Sequence, residues 1–527
     1  MAFDIAVVGI GCAFPGANRI DSFLDLIKSD TSFIIDVSEY VKNKSDNYVP
    51  FKGVYHDAFL FDAELFGFSK GDAKTLDPQH RIFFQTAYRA LESAGYNDPK
   101  SIDKKVGVYA SCGFPGYVLH HLLKNREVME KYDDLYIQLM NDKDFLATRF
   151  SYLMNFNGPS INIQCGCSSS LVGVHLAAQS LLLHECDVAI VGGSSISYPI
   201  YNGYTYSEDS IASKDGKIYS FDEKASGTVR GDGCGVVILK RLEDAIENCD
   251  RIFSVIKGSA ITNDGKNKIG FTAPGLPQQI NVIKEAMAVS EIEDLDFVEA
   301  HATGTKIGDP IEIIALAEVF KNKKDRLMLT SVKPHIGHLD VASGIASFIK
   351  VCLCLYDKLL PHTLNFSNLN PMISRAKDKV EVLQKYKKIS TQSMITAGVT
   401  SLGMGGTNVH VVLESVSRQN TEYYLDKTYR KLNLEKYVIE PDIINKTTSE
   451  TTEENDVKQI VKKAWEKILG VKNISAHDNF FDMGGNSFSA IQCIGMFPAA
   501  MKKKIGVIDF LTHPTLNDFT AHLENKF

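Results

Sequence analysis

Cys167 lies where the chain changes period. The segment SINIQCGCSSSLVGVHLAAQSLLL alternates apolar residues at Ile161, Ile163 and Cys165, then carries them at helical spacing through Leu171, Val174, Leu176 and Leu181. A cysteine at such a strand-to-helix junction meets the positive end of the helix dipole, which favours the thiolate and makes it a nucleophile. Gly166 just before it permits a tight backbone approach. Alone, the pattern more often marks a buried, inert thiol, since free cysteine is among the most buried residue types. Two histidines change the weighing. His301 ends an apolar run in DLDFVEAHATGTKIGDPIEIIALAEVF, ahead of a small-residue loop whose Asp309-Pro310 is placed to cap the next helix. Lys333, His335 and His338 fall in a second loop, SVKPHIGHLDVASGIASFIK, before another small-residue-rich helix. A lone histidine is usually a satisfied polar group, but two on strand-end loops beside an elbow cysteine make a nucleophile-and-donor set. Ser487, after Gly484, Gly485 and Asn486 at a predicted helix start, is a further candidate, although such a string by itself reads as an N-cap.

The elements that must hold these groups follow from the apolar pattern. Residues 1–418 alternate β-rich runs (DIAVVGI, VGVYAS, DVAIVGGS, GVVILKRL, FVEAH, NVHVVLES) with helical segments such as RIFFQTAYRALESAGY, where Gly95 supplies the stop. That alternation implies a layered α/β domain. Residues 419–455 lose their apolar content, and NKTTSETTEEND within them is polar and unpatterned, as in a linker. In VKQIVKKAWEKILG an apolar stripe returns through Val457, Ile460, Val461, Trp465, Ile468 and Leu469, opening a second unit over 456–527, of a size to fold as a small helical bundle. Pro498 should end the helix after Ser487 near Phe497. No internal repeat of 20 to 50 residues is visible.

Several function classes are disfavoured. A net charge of −7 gives no general footing on nucleic acid or an anionic membrane. No run of about 18 apolar residues occurs, and the opening MAFDIAVVGIGCAFPG lacks a basic segment, so it reads as a buried strand of a cytoplasmic protein. The ten cysteines are scattered, several of them in apolar stretches, as reduced packing residues would be. There is no CxxC pair, and Cys165-Gly166-Cys167 is too tight for two zinc ligands. GIGCAFPG misses the dinucleotide fingerprint, and TSLGMGGTNVHVVLE does not match a phosphate loop.

Residues 1–418 strongly resemble the ketosynthase domains of modular polyketide synthases, of the thiolase-like fold. The resemblance runs through IAVVGIGCAFPGA, FDAELFGFS, LDPQHR, GPS, CSSSLVGVHLA, SFDEKASGTVRGDGCGVVILKRL, EAHATGTKIGDPIE, SVKPHIGHL and GGTNVHVVLE. It implies two similar α/β halves in five layers (αβαβα), a homodimer, and a site at the end of a buried tunnel. It makes Cys167 the acyl-accepting nucleophile and His301 and His338 the pair serving decarboxylation and condensation, with Lys333 in support. It also places the backbone N–H groups of Cys167 and Met404 at the acyl oxyanion, and Thr303 and Thr305 at the pantetheine arm. Departures from the family pattern are Gln164-Cys165-Gly166 before the nucleophile, Ala302 after the first histidine, and Leu402 and Met404 at two usually aromatic positions. They bear on acyl preference rather than on the reaction.

Residues 456–527 resemble phosphopantetheine carrier domains (acyl or peptidyl carrier proteins), an all-α four-helix bundle, through the amphipathic first helix, DNFF, GGNS and FLTHPTL. By that resemblance Ser487 receives 4′-phosphopantetheine from a phosphopantetheinyl transferase. The GGNS and DNFF strings lean toward peptidyl carriers and so toward a hybrid polyketide/nonribosomal peptide pathway. Carrier proteins and synthase modules upstream or downstream are the implied partners. Only about 35 residues separate the two regions, too few for an acyltransferase domain, and YRKLNLEKYVIEP resembles the end of the linker that follows such domains and folds back on ketosynthases. A trans-acting acyltransferase is therefore expected to load the extender. Other readings are a gatekeeping ketosynthase that passes chains without elongation, against which both histidines count, and a non-catalytic partner subunit, against which Cys167 counts.

Overall fold

The computed structural model describes the chain except residues 1–2, 43–44, 209, 267, 269–270, 391–392, 417–428, 443–456, 486, 503–504 and 527, and the side chains of 374–375, 487–488, 491 and 499–500. It divides into two compact units, Met1–Asp442 and Ile443–Phe527. No described helix is long and apolar enough to cross a membrane.

The first unit is built on eleven strands: β1 (Ile5–Ala13), β2 (Val106–Cys112), β3 (Ser160–Asn162), β4 (Val188–Ser195), β5 (Gly233–Arg241), β6 (Ser254–Asn263), β7 (Phe297–Glu299), β8 (Leu327–Thr330), β9 (Val380–Val382), β10 (Thr396–Leu402) and β11 (Thr407–Glu414). Their order in the sheet is β9-β8-β7-β10-β11-β6-β1-β5-β4-β2-β3. Outward from the centre, β1-β5-β4-β2-β3 and β6-β11-β10-β7-β8 repeat one topology: two antiparallel pairings, then two parallel ones. The central strands β1, β4 and β5 are buried along their whole length, which is why they read as continuous apolar runs.

Helices α1 (Pro78–Ser93), α2 (Ser169–Leu182), α3 (Leu276–Ser290), α4 (Gly308–Val319) and α5 (Ser343–Tyr356) complete the layers. Helices α2 and α5 touch each other and strands of both halves. Their side chains join those of β1, β10 and β11 in one apolar core, while α1 and the pair α3/α4 cap separate cores on the two outer sides. Helix, half-sheet, helices, half-sheet, helices is the five-layer order of a thiolase-like fold. Helix α1 starts as its sequence dictates, with the Asp77 carboxylate accepting from the Gln79 N–H and Pro78 at the first helical position.

Of the stretch 419–455 that reads as linker, residues 429–442 are described and belong to the first unit; NKTTSETTEEND lies outside the described residues. Glu435–Lys436 pairs with Leu60–Phe61, the buried Arg81 guanidinium donates to the Tyr437 carbonyl (2.6 Å), and the Ile439 N–H donates to the Tyr117 hydroxyl (2.9 Å). The buried Tyr437 explains the attachment, because its ring completes the core beneath α1.

In the second unit α6 (Val457–Leu469), α7 (Ser487–Met496), α8 (Ala499–Lys502), α9 (Val507–Thr512) and α10 (Leu516–Lys526) surround Trp465, Phe480, Phe510 and Phe519. Helix α7 stops one residue before Phe497, where Pro498 cannot continue it.

Candidate active site

The two halves bring their matching strand ends to one place. Strand β3 leads into the turn carrying Cys167 and then α2, and its counterpart β8 leads into the loop carrying Lys333 and His338 and then α5. His301 leaves β7, and Met404 sits in the turn between β10 and β11.

Gly166 adopts φ 64°, a left-handed turn that sets Cys167 just ahead of α2. Ser168 and Ser169 lock this elbow: Ser168 Oγ donates to the Cys165 carbonyl (3.0 Å), and Ser169 Oγ donates to the Gly166 carbonyl (2.6 Å). The β10–β11 turn is clamped on it. Ser401 Oγ donates to the Cys167 carbonyl (3.1 Å), and a Cβ on Gly403 would fall 2.4 Å from the Cys165 carbonyl oxygen, so no side chain fits there. Gln164 is exposed and Cys165 is packed against the core.

Cys167 is half-buried. Burial and the Asp340 carboxylate push its thiol up to about 12, against the backbone N–H groups of Met404 and Cys167 and the Lys333 ammonium, which pull it down. The helix end therefore does not make a resting thiolate, as the sequence suggested, because desolvation and a neighbouring carboxylate outweigh it. The two N–H groups beside the sulfur are those expected at the acyl oxyanion.

His301 and His338 meet edge to face, with ring centroids 5.6 Å apart. Burial, then the Lys333 charge, lower both: His338 to about 3 and His301 well below its ordinary value, so both imidazoles are neutral at physiological pH. His338 Nδ1 bonds the Ser343 hydroxyl (2.6 Å), whereas the buried His301 Nδ1 has no partner among the described residues. Lys333, lowered by burial, lies among the charges of Glu299, Glu312, Cys167 and Asp309, which oppose that shift. It is the group that Cys167 and both histidines have in common.

Carboxylates hold the His301 loop. Glu312 accepts from the N–H groups of His301 (2.7 Å) and Ala302 (2.9 Å). Asp309 does not cap α4 as its position suggested. It turns back to accept from the N–H groups of Gly304 (3.1 Å) and Phe221 (2.9 Å), and Thr305 Oγ1 takes the Gly308 N–H instead. Thr303 and Thr305 pair through their hydroxyls (3.3 Å) and are half-buried on the same loop. Ala302, where the family has glycine, takes φ 31°. Sequence reasoning passed over Asp340, whose Oδ1 lies 3.9 Å from the Cys167 sulfur; a charged residue two places after His338 in an otherwise apolar stretch was the available signal.

In the second unit α7 begins at Ser487, whose side chain lies outside the described residues, after a turn in which the Gly485 N–H donates to the Phe480 carbonyl (2.9 Å). A phosphodiester at the first position of a helix lies against free N–H groups, so this residue type at this place fits a phosphopantetheine arm.

Comparison with known proteins agrees with this geometry. Residues 2–245 match the β-ketoacyl synthase N-terminal domain, 253–367 the β-ketoacyl synthase C-terminal domain, and 459–523 the phosphopantetheine attachment site. The chain is 44% identical over 441 residues to one component of the phenolphthiocerol/phthiocerol polyketide synthase of Mycobacterium tuberculosis, covering 79% of this chain and 29% of that protein. A second component of the same synthase is 37% identical over 431 residues, covering 78% and 19%. The chain thus spans less than a third of these curated relatives. Among solved structures it resembles ketosynthase twelve of the bacillaene polyketide synthase of Bacillus amyloliquefaciens (TM-score 0.73, 33% identity, 79% of this chain and 73% of that one). It also resembles the module 6 ketosynthase of the Bacillus subtilis bacillaene synthase (TM-score 0.69, 32% identity, 90% and 79%). Matches to both β-ketoacyl synthase domains, over 2–245 and 253–367, and to a carrier domain in the helical unit identify the chain as a member of the β-ketoacyl synthase family, a ketosynthase of polyketide-synthase type followed by a carrier domain for covalent 4′-phosphopantetheine.

Proposed function

We propose that the chain joins acyl units by decarboxylative Claisen condensation in a polyketide or hybrid polyketide/nonribosomal peptide assembly line. The convergence of a nucleophile, two neutral imidazoles and a buried ammonium from matching strand ends supports this most. Cys167 takes an acyl group from a thioester, and the N–H groups of Cys167 and Met404 face the oxyanion; one such donor is worth about 100- to 1,000-fold in rate. A malonyl-type thioester then loses carbon dioxide, and the charge that develops on its thioester oxygen is met by N–H donors of His301 and His338. The Ser343 hydroxyl can donate to His338 Nδ1 (2.6 Å), and in that tautomer the imidazole proton sits on Nε2, where it can be donated. The carbanion attacks the acyl carbon on Cys167 and returns the thiol. Lys333 supports the site electrostatically, and Thr303 and Thr305 line the arm's approach.

Ser487 is the residue modified by a phosphopantetheinyl transferase; the arm supplies a mobile thiol that carries acyl groups as thioesters. The reading includes a homodimer in the cytoplasm, partner carriers or modules, and a free-standing acyltransferase for the extender. In the test of that last part, the phosphopantetheinylated protein is incubated with malonyl-coenzyme A, with and without such an acyltransferase. Loading of Ser487 only with the second enzyme is expected, and rapid complete loading without it would refute the trans-acting route. Acyl transfer to Cys167→Ala protein with Ser487 blocked would refute the nucleophile.

A further inference from the structure

A thiol held up near 12 needs somewhere to send its proton when it attacks a thioester. Among the described residues neither imidazole is hydrogen-bonded to the Cys167 thiol, and His338 Nδ1 is bonded to Ser343. Among the described residues, the side-chain acceptor that the Cys167 thiol reaches is Asp340 Oδ1, at 3.9 Å. This contact is built into the backbone. Asp340 takes φ 48°, a left-handed conformation that aspartate tolerates better than most residues. The preceding segment is pinned, since the His338 N–H donates to the Val229 carbonyl (2.8 Å) and the Gly231 N–H to the His338 carbonyl (3.0 Å). Asp340 itself is exposed to solvent.

We propose that Asp340 is the general base of acyl loading, taking the Cys167 proton as the sulfur attacks the incoming thioester. The step balances without a redox partner. The Cys167 sulfur–carbon bond forms, the bond from the acyl carbon to the donor sulfur breaks, and the proton passes from Cys167 Sγ to Asp340 Oδ1 and on to the departing thiolate. Asp340 ends as the carboxylate. The groups facing the pair suit this traffic. Burial raises the Asp340 carboxyl, Arg230 and, more weakly, Lys143 lower it, and the sulfur sees Asp340 and Lys333. A carboxyl raised above its ordinary value is a stronger base than an unshifted one. The inference rests on Cys167 as the nucleophile and adds a residue that touches the reacting sulfur.

The charge of Asp340 also opposes thiolate formation, so the two possible roles differ in sign. If Asp340 only repels, its removal eases thiolate formation and speeds loading. If it is the base, its removal slows loading. Intact-protein mass spectrometry can follow acylation of the full chain, without phosphopantetheine, by an acyl-pantetheine thioester between about pH 6 and about pH 9. Asp340→Asn keeps shape and suits the left-handed backbone; Asp340→Gly serves if it does not fold. Loading about 100-fold slower at neutral pH is expected in either variant, general-base catalysis being worth about that much or more. The variant rate should climb about tenfold per pH unit as hydroxide replaces the base, whereas the parent rate levels off. Asp340→Glu should recover part of the loss. Loading as fast as the parent, or slower loading with the parent's pH profile, would overturn the proposal. Acylation that persists in Cys167→Ala would instead overturn the nucleophile on which it rests.

Discussion

Replacing Lys350 by methionine should cost the first unit more than any change at its surface. Lys350 Nζ and Glu299 Oε2 are 2.7 Å apart, and neither side chain has any exposure to solvent. At an effective dielectric near 20 the gross attraction at that distance is about 6 kcal/mol. Much of it offsets desolvation, but removing one partner strands the other, for which about 3–5 kcal/mol is typical. Glu299 would keep the Val332 N–H (2.7 Å) and the Ser347 hydroxyl (3.3 Å), which puts the loss near 3 kcal/mol, on the low side of that range. With a urea slope of about 3 kcal/mol per molar, the midpoint should fall by roughly 1 M. The full chain carries its own control. Its single tryptophan, Trp465, is buried in the second unit, so its fluorescence follows that unit while far-UV ellipticity follows mainly the first. The ellipticity midpoint should drop and the Trp465 transition should stay in place. Glu299→Leu with Lys350→Met should be less damaging than Lys350→Met alone, because no charge is stranded. A midpoint unmoved by Lys350→Met, or a double variant worse than the single, would refute the reasoning. Because Glu299 lies two residues before His301 and holds the N–H next to Lys333, condensation should fall along with stability.

At Ala302, relief of a φ of 31° by Ala302→Gly, about 1–2 kcal/mol, is offset by a lost buried methyl of about 0.8 and extra unfolded-chain entropy of about 0.4–1. Its urea midpoint should stay near the parent's, while Ala302→Val should lose about 2 kcal/mol or more. His80, His335, His338 and His410 are each held near 3 by burial, against an ordinary 6.5. The unfolded chain therefore binds protons that the native state refuses, and stability present above about pH 6.5 is lost as pH falls toward 3, by up to about 1.4 kcal/mol per pH unit per histidine. Urea midpoints at about pH 7.5 and about pH 5.5 check this, and equal values would contradict it. Ser487→Ala should block the mass gain on treatment with coenzyme A and a phosphopantetheinyl transferase, and a gain mapping to another residue would contradict the assignment.

That Cys167, His301 and His338 would come together was legible because candidate chemistry depends on residue type at a change of period, which a sequence displays directly. The ionisation of Cys167 was not. Local sequence offers the helix end, whereas the burial and the Asp340 carboxylate that outweigh it come from residues 173 positions away in the chain. Asp309 was misread for the same reason: an acidic residue before proline looks like a cap, yet its acceptors are used by Gly304 and Phe221. The alternation of strands and helices gave the α/β class, but the layering depends on α2 and α5 packing between the half-sheets, which only the resemblance implied. Residues 429–442 carry apolar side chains without a strand or helix period and so look like linker; their anchors, Tyr437, Val438 and Ile439, pack into cores built by other elements.

The most direct test is to supply the phosphopantetheinylated protein with an acyl-pantetheine thioester and a malonyl-pantetheine thioester, and to measure the β-ketoacyl product and released carbon dioxide together. The parent should form both in equal amounts and Cys167→Ala neither. His301→Ala and His338→Ala should still become acylated on Cys167 while condensing about 100- to 1,000-fold more slowly. A β-ketoacyl product from Cys167→Ala, or parent protein that acylates Cys167 and never forms the carbon–carbon bond, would contradict the assignment of this site to condensation.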